Sequence, residues 1–455
     1  MDCAAGANGG GFRARSGHSW RGGVRLRSGG AYEVGYWREN AKMVLWNCKA
    51  FDYLQVMSSL HRFFMRLLVV AFGFGFGIEA AEVEPVGVSL GSRGVSNFIA
   101  RLEKDRKAHV VFLGGSITQN GKGHSAKVAA WLQERWPDVE FTFTNAGLSS
   151  TCSVSGAFRF NRDVISKGPA DLLIVEFAVN DDQDARHDTV TARRGLEGIV
   201  RQYFTSNPTG DVIAVQFVNP AILAAIQKGE TAISVAAHEE VARHYGLPNV
   251  NVGVALAAEI AAGRMTWEED YHETHPNDKG YTFASGLITR VIEDSVSGET
   301  PQTFALPEPL DPGSYASARI VDPQELDWLG GWKFGPVSEE LIPVGTIRGD
   351  YKSHRALRSD EAGSYLYYSF SGTMLGAFVL AGPDAGSLEI SVDGGEWRKI
   401  DLFHSFSKSL NYPRSVILAD DLSPTGHQAV IRVADAIPEG SQGSTATILY
   451  FEVNG

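Results

Sequence analysis

The residues of this chain whose types and setting could do chemistry begin with Ser116, in the run His109-Val-Val-Phe-Leu-Gly-Gly-Ser116-Ile-Thr-Gln-Asn-Gly-Lys. The apolar stretch reads as a buried parallel strand. The two glycines allow a sharp turn and leave space beside the hydroxyl. Ser116 then stands at the carboxyl end of a strand, where open α/β sheets place their reactive groups. A G-x-S-x-G elbow would need glycine where Thr118 stands. A phosphate-binding P-loop would need glycine at 116 and serine or threonine at 123, where Ser116 and Gly123 stand. What remains is either an ordinary glycine turn or a serine nucleophile, and a nucleophile needs a base to take its proton.

Three later segments supply candidates. Phe143-Thr-Asn-Ala-Gly147 follows a β-rich run. Leu172-Leu-Ile-Val-Glu-Phe-Ala-Val-Asn180-Asp181 is a second buried strand ending in an amide. Thr274-His275-Pro276-Asn277-Asp278-Lys279-Gly280 precedes a helix-like stretch. The ordered serine, glycine, asparagine and histidine resemble the four blocks of the SGNH (GDSL-type) hydrolase family over about residues 108–297, with Gly-Gly-Ser in place of Gly-Asp-Ser. His275 is the candidate base, since an imidazole titrates near neutrality and can hand the proton to a leaving alcohol. The resemblance implies an oxyanion hole built from the backbone N–H of Ser116, the backbone N–H of Gly147 and the side-chain amide of Asn180.

The acid departs from the family pattern, which places aspartate three residues before the histidine. Here that position is His272, within Glu268-Glu-Asp270-Tyr-His272-Glu273-Thr-His275. Asp270 is taken as the acid, with Glu273 and a Ser–His dyad as the alternatives. The His-x-x-His pair lacks a third ligand at a recognisable spacing, so neither a metal nor another cofactor is expected. The acidic run 181–188 reads as a solvated loop and helix start, with calcium or a cationic substrate group as the alternative.

The elements that must position these residues follow an α/β alternation. Strand-like runs at 110–113, 139–144, 172–177, 212–217 and 249–254 flank helix-like stretches at 125–135, 191–205 and 232–245. Such alternation requires crossovers and hence a parallel sheet. The expectation is a three-layer α/β/α domain over 108–298 with a five-stranded parallel sheet in flavodoxin-like order, preceded by a lead-in at 82–107. A Pro-rich linker at 299–313 introduces residues 314–455, where helix periodicity gives way to short β-like runs. Ser387 to Val392, a turn at Asp393-Gly394-Gly395 and a returning run at 396–402 form a hairpin signature. Further strands are expected at 365–370, 377–380, 429–433 and 446–453, making a smaller all-β sandwich of jelly-roll type. It resembles the β-sandwich modules of some carbohydrate esterases. Trp328, Trp332 and Trp397 are candidates to stack on sugar rings or to fill the core.

Residues 57–81 have the layout of a secretory signal: basic residues, a short apolar run, then Ala80-Ala81. Cleavage there implies a secreted or periplasmic protein without a stable membrane anchor. Residues 1–56, rich in glycine and arginine, read as a non-native or disordered leader. The first 81 residues hold 10 of the 41 basic and 5 of the 53 acidic residues, so the remainder carries a formal charge of −17. That acidity argues against nucleic acid or anionic membrane as partners. Cys3 and Cys48 leave with the leader. Cys152 cannot form an intrachain disulfide and reads as packing. The expected activity is serine ester hydrolysis through an acyl-enzyme, with an acetylated glycan or another small ester as substrate. A lipase- or thioesterase-type hydrolase and a non-catalytic glycan-binding protein are the alternatives; the oligomeric state is left open.

Overall fold

The computed structural model describes residues 86–296 and 301–455; the expected leader and signal segment lie outside them. Five parallel strands form the first sheet: β2 (Lys107–Gly114), β3 (Glu140–Gly147), β4 (Leu172–Glu176), β5 (Asp211–Gln216) and β6 (Asn249–Asn251). Their spatial order, β6-β5-β4-β2-β3, is flavodoxin-like, with the first strand next to the centre. β2, β4 and β5 are buried along almost their whole length because helices cover both faces. Two apolar clusters fill the two sides, one around Val110, Phe112 and Ile213, the other around Val111, Leu113 and Leu173.

The segment read as a lead-in belongs to this domain. β1 (Val88–Ser89) adds a sixth, antiparallel strand against β6, and α1 (Ser96–Asp105) buries Phe98, Ile99 and Leu102. The run 249–254 divides at Asn251, whose side chain accepts a hydrogen bond from Val254 N at 2.9 Å. That cap starts a helix at Val252 where β-branched residues had suggested continued strand. The turn after β5 likewise becomes a helix, Pro220–Gln227, because Asn219 caps it and Pro220 takes its first position.

The C-terminal part is two antiparallel sheets packed face to face. One has the order β15-β12-β17-β10-β9: β15 (Tyr412–Ala419), β12 (Met374–Ala381), β17 (Ala446–Asn454), β10 (Arg355–Ser359) and β9 (Lys333–Pro336); β7 (Ala318–Val321) also pairs with β17. The other has the order β14-β13-β16-β11-β8: β14 (Arg398–Asp401), β13 (Ser387–Val392), β16 (Gly426–Val433), β11 (Tyr365–Ser371) and β8 (Asp327–Leu329). The expected hairpin is β13–β14, turned by Asp393 and Gly394 with φ of 54° and 73°. Trp332 is buried in the sandwich core, whereas Trp328 and Trp397 are exposed, the latter beneath the Arg432 guanidinium at 4.0 Å.

β12 and β17 are buried at every residue, without the alternation of a half-exposed strand. The cause is the neighbouring α/β domain. Leu357, Ile448 and Phe451 face the sandwich core, while Phe378, Leu449 and Tyr450 pack with Leu148 from the end of β3. Tyr315, Ala318 and Met374 join the α/β domain's own second cluster. The described part of the linker is strapped down as well: Phe304 stacks on Phe204 at 3.9 Å, and Asp311 N donates to buried Glu197 at 3.0 Å.

Gly198, in the helix Thr189–Ser206, lies where Tyr315 crosses; a Cβ there would come within 2.7 Å of the Tyr315 carbonyl. Alanine in place of a helical glycine ordinarily stabilises by about 1 kcal/mol. Here overpacking reverses the sign, and Gly198→Ala is expected to cost about 1–3 kcal/mol in denaturant unfolding.

Candidate active site

The nucleophile turn is set by space. β2 ends at Gly114, Gly115 leads into α2 (Ser116–Gln119), and nothing larger than hydrogen fits at either glycine. A Cβ on Gly114 would lie 2.2 Å from Thr118 Oγ1 and 2.4 Å from Glu176 Oε1; one on Gly115 would lie 2.0 Å from Asn180 Oδ1. Ser116 is thereby the first residue of α2, and its N–H has no intrahelical acceptor.

His275 comes from the loop between α9 (Trp267–Asp270) and α10 (Asp278–Asp294). The loop is held by buried Tyr271 stacked on Trp267 at 5.0 Å, by Asn277 N donating to Tyr271 O at 2.9 Å, and by the Asn277 side chain capping α10. The structure brings Ser116 Oγ and His275 Nε2 to 2.7 Å. That distance suits transfer of the serine proton.

Asp270 is not brought to His275. Its carboxylate accepts from Lys279 Nζ at 2.8 Å and from Thr266 N at 2.8 Å, and the Lys279 hydrogen bond holds it below the usual carboxylate range. It closes α9 and tethers α10. His272, at the family's acid position, is exposed and takes a φ of 92°. Glu273 is exposed and hydrogen-bonds to neither ring nitrogen. Among the described residues no hydrogen bond reaches His275 Nδ1, which leaves the dyad as the arrangement present. The carboxylate whose field includes His275 is Asp184, raised by burial and opposed by hydrogen bonds from Asn180 and Gln183.

Of the three expected oxyanion donors, Ser116 N–H and one Asn180 amide hydrogen have no acceptor among the described residues. Asn180 lies on a single π-helical turn, Asn180–Asp184; one of its amide hydrogens goes to Asp184 Oδ2 at 2.6 Å, leaving the other for a ligand. Gly147 N instead donates to Asn145 Oδ1 at 2.9 Å. The same Asn145 donates to Thr118 O at 2.7 Å, so it ties β3 to α2. Gly147 is required sterically: a Cβ would sit 2.3 Å from Gln119 N.

Beneath the turn lie polar residues the sequence reading passed over. Glu176 Oε1 accepts from Gly115 N at 3.1 Å and from Thr118 Oγ1 at 2.7 Å, while Thr118 Oγ1 also shares a 3.1 Å hydrogen bond with His124 Nε2. Burial pushes Glu176 up to about 7 and His124 down to about 3. A glutamate ending a run of five buried strand positions was a visible signal. Arg159 gave none: it sits on the amphipathic helix α4 (Ser153–Asp163), yet its guanidinium donates to Gly114 O at 3.0 Å and Ala146 O at 2.7 Å.

Asp181 is not solvated, contrary to the reading of the acidic run. It is fully buried and accepts from Ser153 N at 2.8 Å, with further hydrogen bonds to Ser153 Oγ at 2.6 Å and His238 Nε2 at 2.9 Å. Burial alone would raise it, but the charges and hydrogen bonds of His187 and His238 hold it well below the usual range. Cys152 Sγ and a His187 nitrogen lie within 4.8 Å of its carboxylate, the spacing of a metal triad. The Asp181 oxygens are already occupied and point at the N-terminus of α4, where a cation is disfavoured. The sandwich domain forms the site's rim: Gln119 Nε2 donates to Asp350 at 3.2 Å, Arg348 to Ser150 Oγ at 2.8 Å, and His404 Nε2 lies 2.9 Å from Asp184 O.

Residues 112–283 match the model of the GDSL-like lipase/acylhydrolase family, the family read from the four sequence blocks. Among solved structures, a two-domain esterase active on acetylated mannans matches with a TM-score of 0.65 and 22% identity, over 81% of this chain and 97% of that one, in crystals with mannopentaose. A second crystal structure of a two-domain esterase active on acetylated mannans gives a TM-score of 0.64 at the same identity and coverage. At that identity the likeness is one of fold, and it spans both domains. A search of curated protein sequences gives no match.

Two outcomes follow from the geometry. Asp270→Asn is expected to leave kcat for an aryl ester within about twofold, whereas loss of a true triad acid costs about 10⁴; steady-state kinetics decide. Glu176 is raised in the folded state from 4.5 to about 7, so its stabilising contribution is present in full below pH 4.5 and is lost as pH rises through 7. Glu176→Gln removes that dependence. Denaturant unfolding of the parent should fall relative to the variant by on the order of 3 kcal/mol between those limits.

Proposed function

We propose that this chain, a carboxylic ester hydrolase of the SGNH (GDSL) type, removes acetyl groups from a polysaccharide by way of an acyl-enzyme. The observation that carries the chemistry is the 2.7 Å pair of Ser116 Oγ and His275 Nε2 at the carboxyl end of the sheet. Ser116 Oγ attacks the acetyl carbonyl as its proton passes to Nε2, and the oxygen acquires charge facing Ser116 N–H and the Asn180 amide. The imidazolium returns the proton to the sugar oxygen, which leaves. Water, deprotonated by His275, then attacks the acetyl carbonyl; the bond to Ser116 Oγ breaks, the imidazolium returns the proton to that oxygen, and acetate leaves.

The glycan reading is supported by the two-domain fold shared with an esterase active on acetylated mannans, and by a polar rim that the sandwich domain supplies through Arg348, Asp350 and His404. A long acyl chain would call for an apolar groove beside Ser116 rather than these side chains. Residues 57–81 support export, with cleavage near Ala80 and Ala81, which would bring the enzyme to extracellular or periplasmic glycans. One observation favours a binding protein instead: among the described residues no carboxylate hydrogen-bonds to His275. A serine nucleophile with a base at hydrogen-bond distance still suffices for acyl transfer, because the oxyanion donors and the dyad remain.

The test is hydrolysis of an aryl acetate by the full chain beside Ser116→Ala. The variant is expected to lose at least about 10³ in kcat. Equal rates for parent and variant, or no hydrolysis by either, would sink the esterase reading and leave glycan binding as the function to pursue.

A further inference from the structure

A cleft of about 310 Å³ lies where the end of β3 and helix α4 meet the sandwich domain, with Gly147 and Leu148 forming part of its wall. That is the low end of the volumes that hold small ligands. Arg159, Arg162, Lys167, Tyr351, His354 and Tyr450 line it from both domains. Three of these keep a buried polar atom without any hydrogen bond: Arg159 Nε, Tyr351 Oη and His354 Nδ1. Arg159 is only 1% exposed and Tyr351 only 2%. Buried polar groups are normally satisfied, so three orphans gathered at one cleft point to a group that satisfies them when it is occupied.

An acceptor would satisfy at least two of the three. Arg159 Nε and the Tyr351 hydroxyl are donors. The charge count runs the same way. Asp163 is consumed by Arg162 at 2.6 Å and Arg159 at 3.0 Å, and Asp350 accepts from Gln119 at 3.2 Å. Lys167 is exposed and forms no ion pair among the described residues. The cleft therefore holds three cationic side chains against Asp163, both of whose oxygens are used, and Asp350, which has one oxygen in a hydrogen bond, in a chain of formal charge −12. Guanidinium and ammonium groups beside phenols suit a carboxylate.

We propose that this cleft receives the carboxylate of an acidic sugar unit, one neighbour along the chain from the acetylated residue at Ser116. The inference rests on the glycan-esterase reading. It makes the preferred substrate an acetylated polysaccharide bearing uronic acids. The sandwich domain then contributes to recognition through Tyr351 and His354, set close to the oxyanion turn by their shared wall at Gly147.

The experiment compares kcat/KM of the full chain on two acetylated oligosaccharides of equal length, one carrying a glucuronate unit and one neutral. A charge-assisted contact predicts about a tenfold preference for the acidic substrate, expressed in KM and weakened by salt. Lys167→Glu should abolish the preference, and Tyr351→Phe should reduce it without lowering thermal stability, because it removes an unpartnered buried hydroxyl. No preference in the parent, or one surviving in both variants, overturns the proposal while leaving the esterase reading intact. If neither oligosaccharide is hydrolysed, calorimetric titration with sodium glucuronate decides. Binding by the parent that Lys167→Glu abolishes supports the cleft, and no binding, or equal binding by both, overturns it. Failure on aryl acetate, by contrast, overturns the esterase chemistry and not the cleft.

Discussion

A buried guanidinium holds together the two strand ends from which the site is built. Arg159 donates to Gly114 O and Ala146 O, the carbonyls that close β2 and β3 just before the nucleophile turn and the Gly147 turn. Burying a cation is costly unless its donors are filled, and here Asp163 and Thr151 take most of the remaining ones. With the strand ends locked, Gly114, Gly115 and Gly147 can pack against Glu176, Asn180 and Gln119 at distances no side chain would tolerate. The placement of the Ser116 hydroxyl is thus the product of a crowded backbone, supported by charge from below.

The sandwich domain shares in this crowding. Its β12–β17 sheet has no solvent face near the hydrolase, because Leu148 and the hydrolase's second cluster occupy it. Arg162 lies over the Tyr450 ring at 5.6 Å, a contact across the seam made by the helix that carries Arg159. The same helix therefore faces the strand ends on one side and the second domain on the other. A displacement of the sandwich would be felt at the active-site turn through α4.

The parts of this molecule legible in the sequence were those written as periodicity or as ordered polar residues after strands. The buried runs gave the parallel sheet, and alternation with Asp393-Gly394 gave the β13–β14 hairpin. Ser116 and His275 were legible because each follows an element end within a recognisable block. What escaped was decided by tertiary partners. Asp270 had a suitable type and position, but Lys279, the second residue of α10, holds its carboxylate. Gly147 N faced the right side, but Asn145, two residues back, satisfies it. Asp181 looked solvated among polar neighbours, because nothing in the local sequence reveals that Ser153 and His238 converge on it. Asn251 was readable as a cap within the run 249–254, where β-branched residues also favoured strand.

The strapped linker has a consequence for how such a protein can be inherited. Glu197 receives the linker backbone, Phe304 is stacked on Phe204, and Tyr315 is buried against Phe158 before the first strand of the sandwich begins. A gene ending near residue 313 would encode a hydrolase whose exposed flank had evolved to be covered, and a gene beginning there would encode a sandwich with one sheet face uncovered. Neither half is a free cassette for recombination. Each domain covers a surface that the other leaves open, so a substitution at their seam bears on the packing of both.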